Sequence, residues 1–334
     1  MGDKLFFDLG SIKPHASGSS GQSAMVTVDE MSGLDNIAFS ILKLNKNGIQ
    51  EPIWHPNANK IGYCVDGNAL VSIRSPASSD MFTITKGDVF FIQKGYVHTI
   101  TNIDEGPTEI IFALNHTKPQ LMNLSSAVYS LSDTVFHATF KTEAEFFNGL
   151  KKNKAQEIIK SLTTGKGSSH NISSRYKFNI ANSSKPVQTH GGYLQASLKD
   201  NLPVLDGLGI LGFGLTPGGV VEPHWHTNAG ELIYIIKGHT RVTVLGPDGH
   251  PNVLEVKAGQ GAFAAASHFH NIENVGKEDV EVIAFFNHAE PDFIGIGEVI
   301  GSYSNEVLGS LFNVDSRYFD QFKKPSGPLI IVPI

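Results

Sequence analysis

The chain has 334 residues, 40% of them hydrophobic, and a net charge of −6. That length is enough for two domains of ordinary size, and an acidic balance without a long basic run argues against nucleic-acid binding. No apolar run approaches the ~20 residues of a membrane-spanning helix, and the start, MGDKLFFDLGSIKP, lacks the basic and apolar regions of a secretory signal. The sequence therefore predicts a cytoplasmic protein that binds neither nucleic acid nor membrane.

Short runs rich in Val, Ile and Phe follow one another along the chain, separated by Gly, Pro, Asn and Asp. They include LVSI, MFTI, DVFFIQ and EIIFAL in the first half, and LIYII, RVTVL and VEVIAFF in the second. Each run predicts a strand, and many short strands indicate a sandwich or a barrel. Each half ends in a short helical pattern, so we expect an all-β fold with short helical extensions.

The two halves are copies of each other. The segment EPIWHPNANKIGYCVDG at 51–67 recurs as EPHWHTNAGELIYIIKG at 222–238, and KGDVFFIQKGYVHTITN at 86–102 recurs as AGQGAFAAASHFHNIEN at 258–274. Self-similarity over this length indicates a duplicated domain. We therefore predict an N-terminal domain over 1–163, a Gly/Ser-rich linker over 164–174 and a C-terminal domain over 175–334.

Four residues of the second copy form a candidate metal site. His224 and His226 are two residues apart in a predicted strand, so both side chains point to one side. Glu231 begins the next strand and His270 comes from a later one, so a closed barrel brings all four together inside. A single inward histidine is usually a core residue, but four ligand-type side chains inside apolar strands need a partner. Three imidazoles and a carboxylate suit one divalent first-row metal ion, and an octahedral ion would keep two positions open for a small-molecule ligand.

The first copy has Ile53, His55, Lys60 and His98 at the matched positions. Two of the four ligand types are lost, and Lys60 would place a positive charge where an ion would sit. This half is predicted to bind no metal.

Other polar residues have simpler interpretations. Glu51 and Glu222 recur in both copies, so they are interpreted as structural residues. Glu290, Asp292 and Glu298 follow the last strand of the second copy and could approach the barrel mouth, but a solvated acidic loop is the simpler interpretation.

These motifs resemble those of the cupin superfamily. Gly218, His224, His226, Glu231 and Gly238 match its first motif, and Gly259, His270 and Asn274 follow its second. The two-domain arrangement resembles germins and oxalate decarboxylases, and PDFIGIGEVIGSYSNEVLGSLFNVDSRYF resembles the helical tails of seed storage globulins. The resemblance implies a double-stranded β-helix barrel in each half and manganese as the favoured metal. The ligand set itself also suits iron, zinc or nickel. The resemblance also implies a homo-oligomer, favouring a trimer.

Val221 stands where the resemblance implies an arginine in oxalate decarboxylases, or an asparagine in germins. The sequence therefore leaves two functional hypotheses. The first is a metal-dependent oxidoreductase or decarboxylase that acts in the second barrel on a small carboxylate or a similar polar metabolite, with oxalate decarboxylase- or oxidase-like chemistry as one option. No catalytic residue is assigned beyond the metal ligands. The alternative is a non-enzymatic storage-globulin-like or small-molecule-binding protein.

Overall fold

The computed structural model describes residues 4–143, 146, 148–150, 157–162, 172–183, 187–325 and 327–333. The chain forms two compact units. The N-terminal barrel comprises Ile12–Thr27 and Ala38–Asn179, and the C-terminal barrel comprises Met1–Ser11, Val28–Ile37 and Ile180–Ile334. Most of the predicted linker at 164–174 lies outside the described residues, so its boundaries stay a prediction.

Antiparallel strands make up most of both barrels. In chain order they are β1 (Phe6–Asp8), β2 (Ala16–Gly18), β3 (Gly21–Val26), β4 (Ala38–Leu44), β5 (Gly48–Trp54), β6 (Lys60–Asp66), β7 (Asn68–Arg74), β8 (Ser79–Thr85), β9 (Asp88–Ile92), β10 (Val97–Asn102), β11 (Thr108–Leu114), β12 (Met122–Asn123), β13 (Ile159–Ser161), β14 (Lys177–Asn179), β15 (Val187–Thr189), β16 (Gly192–Ser197), β17 (Gly209–Leu215), β18 (Gly219–Trp225), β19 (Glu231–Lys237), β20 (His239–Leu245), β21 (Pro251–Lys257), β22 (Gln260–Ala264), β23 (His270–Asn274), β24 (Val280–Phe286), β25 (Ile294–Gly295) and β26 (Ile331–Pro333).

Each barrel consists of two sheets that enclose a core. In the N-terminal barrel the strand orders are β14-β9-β6-β11-β4-β3-β2 and β12-β5-β10-β7-β8, with β13 also on β5. The C-terminal barrel repeats them as β1-β22-β19-β24-β17-β16-β15 and β21-β20-β23-β18-β25, with β26 on β18. The predicted all-β fold with two tandem barrels is confirmed.

The first strand of each copy belongs to the other copy's barrel. β1 pairs with β22 of the C-terminal barrel, and β14 pairs with β9 of the N-terminal barrel. Phe7 on β1 is 1% exposed and its ring lies 6.4 Å from that of Tyr234, nearly parallel to it. A Cβ atom on Gly261 would come within 2.5 Å of the Phe7 ring. Only glycine at this position therefore leaves room for β1 to pair with β22.

A β-bulge in β18 decides which side chains enter the C-terminal barrel. The pairing of β18 with β23 shifts between Val221 and His224, around Glu222 and Pro223. A bulge adds one residue to a strand and reverses the alternation of side chains beyond it. Val221, His224 and His226 consequently all line the same cavity.

The bulge turns the recurring glutamates to structural positions. Glu222 accepts hydrogen bonds from the backbone N–H groups of Leu329 and Ile330, at 3.0 and 3.4 Å. These bonds hold the segment that leads into β26. In the N-terminal barrel the Glu51 carboxylate accepts hydrogen bonds from the Asn123 side chain at 2.6 Å and from the Ser125 N–H at 3.2 Å. It thereby holds the junction of β12 and the first helical extension. Their interpretation as structural residues is confirmed.

The helical extensions are α1 (Leu124–Tyr129) and α2 (Asp133–Phe140) in the first copy, and α3 (Ile296–Ser302) and α4 (Asn305–Phe312) in the second. Ser132 and Ser304 cap α2 and α4 by accepting a hydrogen bond from the N–H group three residues ahead. Among the described residues, no helix has the length and apolar character needed to cross a membrane.

The exchanged strand generates a stability prediction. Phe7→Ala should destabilise the C-terminal barrel by about 3–5 kcal/mol, because it leaves a cavity over Gly261. In a Trp54→Phe background only Trp225 remains to report unfolding, so urea denaturation followed by fluorescence isolates this barrel. The matched variant Phe178→Ala in β14 should leave the Trp225 transition in place. An equal shift for both variants would contradict the exchange.

Candidate functional site

The C-terminal barrel brings the four predicted ligands into one cluster. His224 and His226 lie on β18, Glu231 begins β19 and His270 begins β23. All four are buried, with 1–4% of each residue exposed, and their ligand atoms lie within 4.8 Å of one another. The strand pattern predicted this set, and the structure places its members around one point.

The spacing of the ligand atoms suits a single ion. One carboxylate oxygen of Glu231, Oε2, lies 2.9 Å from Nε2 of His270, 3.1 Å from that of His226 and 3.7 Å from that of His224. The Nε2 atoms of His224 and His226 are 3.2 Å apart. Ligands on adjacent corners of an ion with bonds of about 2.1 Å lie about 3 Å apart, so these separations fit.

Backbone carbonyls set the orientation and the tautomer of each imidazole. Nδ1–H of His224 donates to the Glu222 carbonyl at 2.7 Å, and Nδ1–H of His270 donates to the His268 carbonyl at 2.8 Å. Nδ1–H of His226 donates to the Asp292 carbonyl. Each ring therefore turns the lone pair of Nε2 toward the cluster, which is the arrangement found for histidines that ligate metals.

The ionisation of the cluster also suits a cation. Burial, together with the neighbouring His270, lowers the pKa of His224 to about 4. Burial alone would raise the pKa of Glu231, but without an ion, imidazole N–H groups that hydrogen-bond to it hold its pKa well below the usual value. A divalent cation would take the place of those protons and would pair with both the ionised carboxylate and the Nε2 lone pairs.

Two residues that the sequence analysis did not select complete the site. Phe293 stacks on His224 with ring centroids 4.5 Å apart and an interplanar angle of 19°. Asp292, interpreted from sequence as part of a solvated acidic loop, instead lines the cavity, and its carboxylate accepts hydrogen bonds from the N–H and hydroxyl groups of Thr227. Both lie in the loop before β25, where no strand periodicity could indicate a direction.

The cavity beside the cluster measures about 260 Å³. Beyond the ligands and Asp292, its wall is apolar and includes Leu194, Leu211, Phe213, Val221 and Phe286. Among the described residues that line it, none is a lysine or an arginine. The wall therefore offers no cationic side chain to a second anionic group.

In the N-terminal barrel, backbone carbonyls orient two imidazoles in the same way, but the residue between them is a lysine. Nδ1–H of His55 donates to the Gln120 carbonyl at 2.7 Å, and Nδ1 of His98 lies 3.2 Å from the Tyr96 carbonyl. Lys60, 4% exposed, takes the position of Glu231. Its Nζ atom lies 3.4 Å from Nε2 of His98.

Lys60 is a cation in an environment that disfavours charge. Its Nζ atom also lies 3.9 Å from the centroid of the Phe112 ring. Burial lowers its pKa to about 7. Burial, with the charge of Lys60, lowers the pKa of His55 to about 3. This cluster presents an ammonium group where the other barrel presents a carboxylate.

The buried lysine generates a prediction about pH. Between pH 7 and 10.5 the unfolded state binds the Lys60 proton more tightly than the native state, so native stability should rise with pH. Relative to Lys60→Met, the wild-type protein should be less stable by at most about 5 kcal/mol below pH 7, and this deficit should vanish near pH 10.5. Urea denaturation in a Trp225→Phe background, where Trp54 reports the N-terminal barrel, measures the difference at each pH. A difference that stays constant with pH would contradict the burial of a titrating lysine.

Comparisons with known proteins agree with this architecture. The Cupin family model matches residues 7–147 and again residues 178–318. Oxalate decarboxylase of Bacillus subtilis (strain 168) is 21% identical over 324 residues, which cover 93% of this chain and 82% of the relative. Germin-like protein subfamily 2 member 2 of Arabidopsis thaliana is 26% identical over 160 residues, covering 45% of this chain and 73% of the relative.

Solved structures show the same fold. A structure of Bacillus subtilis oxalate decarboxylase, a protein with Mn(II) centres, superimposes with a TM-score of 0.87 at 20% identity, covering 100% of this chain and 90% of that chain. Since the family model matches both halves separately, this chain belongs to the cupin family and carries two cupin domains.

Proposed function

We propose that this chain is a metal-dependent enzyme that acts on a small carboxylate in its C-terminal barrel. The observation that carries the proposal is the convergence of three imidazole lone pairs and one ionised carboxylate beside a cavity. The similarity to oxalate decarboxylases over most of the chain supports the substrate class and a decarboxylase or oxidoreductase reaction.

His224, His226, Glu231 and His270 would hold one divalent ion. The Mn(II) centres of the Bacillus subtilis relative favour manganese; iron, zinc and nickel remain alternatives for this ligand set. A bound divalent ion would supply positive charge and open positions at which an anionic substrate oxygen is held and its developing charge is stabilised.

The protein's own residues prepare this site. The carbonyls of Glu222, His268 and Asp292 fix the three imidazole rings, so binding costs little reorganisation. Phe293 covers one face of His224, and the mostly apolar wall of the cavity lowers the local dielectric constant, which strengthens electrostatic contacts inside it.

Charge balance in the cavity favours a monocarboxylate over oxalate. A divalent ion with ionised Glu231 carries one net positive charge, which a monoanion neutralises. Oxalate, bound through one or both carboxylates, would leave one uncompensated negative charge in a cavity whose described lining has no lysine or arginine, and burying an unpaired charge is costly. We therefore infer a substrate with one carboxylate and an apolar body.

Location and assembly remain predictions from sequence. We propose a cytoplasmic homo-oligomer, with a trimer favoured. Exposed apolar side chains on the helical extensions support assembly, since Leu311 and Phe312 on α4 are 69% and 54% exposed.

Metal content tests the site directly. Metal-free protein given Mn(II) and then dialysed should retain close to one equivalent per chain by elemental mass spectrometry. His226→Ala should lose it, whereas the matched variant His55→Ala should keep it. At a free concentration of 100 times Kd the metal should stabilise the C-terminal barrel by about 2.7 kcal/mol. Retention by His226→Ala, or two equivalents in the wild-type protein, would contradict a single site in this barrel.

Turnover tests the substrate class. The manganese-loaded protein should convert a short monocarboxylate with an apolar chain faster than oxalate, assayed as CO₂ release and O₂ consumption with and without air. Val221→Arg places a cation in the wall and should raise kcat/KM for oxalate relative to the monocarboxylate by about tenfold or more. The matched variant Gln50→Arg in the other barrel should leave that ratio unchanged. If no carboxylate is turned over by protein with an intact metal site, the non-enzymatic storage or binding hypothesis replaces the enzyme.

A further inference from the structure

The interior of the N-terminal barrel holds buried polar atoms that have no hydrogen-bond partner among the described residues. Gln50 is 3% exposed and its Oε1 atom is buried without a hydrogen-bond partner; Nε2 of His55, which is 4% exposed, is in the same state. Unpartnered buried polar atoms are rare in folded proteins because each costs about 1–3 kcal/mol. Two such atoms in the barrel whose interior also holds the buried Lys60 are the first indication of a ligand.

The charge around Lys60 points to an anion. Its Nζ atom lies 3.4 Å from Nε2 of His98, and among the described residues Lys60 forms no ion pair with a carboxylate. The one acidic residue of β5, Glu51, is turned away by the bulge and bonded to Asn123 and Ser125. The barrel interior therefore holds an ammonium group without a counter-ion.

The matched positions in the two barrels have changed together. Where the C-terminal cavity is lined by Val221 and Leu211, the N-terminal barrel has Gln50 and Ser40, at equivalent points of the strand pairing. Both Gln50 and Ser40 are buried. The barrel that lost its ligand carboxylate thus has a polar wall where the other barrel has an apolar one.

We propose that the N-terminal barrel is a second, metal-independent binding site for a small 2-hydroxycarboxylate, bound by Lys60, Gln50 and His55. The Lys60 ammonium takes the carboxylate, and the Gln50 amide donates to it, since the network decides which end of an amide faces a ligand. His55 donates Nδ1–H to the Gln120 carbonyl, so its Nε2 lone pair accepts from the hydroxyl group of the ligand. Hydrogencarbonate shares this combination of an anionic oxygen and a hydroxyl group.

The same barrel has a cavity of about 390 Å³, lined by residues that include His15, Leu121, Glu157 and Ile159. Leu121 matches Phe293, which lines the cavity of the other barrel. His15 lies close enough to Lys60 and His55 for their charges to interact.

Binding to metal-free protein tests this site without the C-terminal one. The His226→Ala variant, treated with a chelator, is titrated with glycolate and with acetate at pH 6.5, and binding is followed by calorimetry. Glycolate should saturate one site per chain and bind at least tenfold more tightly than acetate. Lys60→Met should abolish saturation by both, and Gln50→Val, which copies the other barrel, should weaken both.

The hydroxyl contact has its own control. His55→Leu should weaken glycolate about tenfold and leave acetate unchanged, because acetate has no hydroxyl to donate. Hydrogencarbonate and formate form a parallel pair that shows whether the ligand is the inorganic or the organic anion. Thermal unfolding in a Trp225→Phe background, where Trp54 reports the N-terminal barrel, confirms that each variant is folded; Lys60→Met should be at least as stable as its parent. No saturable binding at millimolar glycolate, or equal binding by folded Lys60→Met, would overturn the proposal.

Discussion

The closed interior of each barrel is the constraint on which the chemistry of this chain depends. A polar side chain that points inward cannot reach bulk water, so it must find a partner inside or destabilise the fold. In the C-terminal barrel, the imidazoles of His224, His226 and His270 turn lone pairs toward one ionised carboxylate. Lone pairs and negative charge at one point require a cation. In the N-terminal barrel the same logic acts on Lys60, which either loses its proton, as its lowered pKa of about 7 allows, or pairs with an anion.

Both clusters depend on backbone contacts that survive the loss of metal ligands. The imidazole of His55 is held by the Gln120 carbonyl, just as that of His226 is held by the Asp292 carbonyl, although only the second barrel has a full ligand set. The orientation of the rings is therefore a property of the fold rather than of a bound ion. This explains why a few substitutions change the ligand chemistry of a barrel without disturbing its frame.

The sequence predicted the ligand set because two short-range rules determine it. Strand alternation places His224 and His226 on one side, and the duplication shows which positions of the other copy to compare. It could not predict which barrel receives the first strand of each copy, because FFDLG and KFNIA are alike and either could pair with either barrel. Phe293 was missed, and Asp292 was interpreted as solvated, for another reason: both lie in a loop whose direction no periodicity sets.

The sequence could not predict how much the buried lysine of the N-terminal barrel destabilises the fold. The alignment of the two copies shows that Lys60 occupies the position of Glu231. The free energy that its burial costs the fold depends on how completely the barrel closes around it. A buried cation that only weakens the fold would be expected to give way to an apolar residue of similar volume, which often stabilises a protein. Ile53 shows such a replacement, at the position of His224 in the same cluster. A barrel that had merely lost its metal would be expected to repack with apolar residues. This barrel instead combines Lys60 with Gln50 and Ser40, which indicates a different ligand.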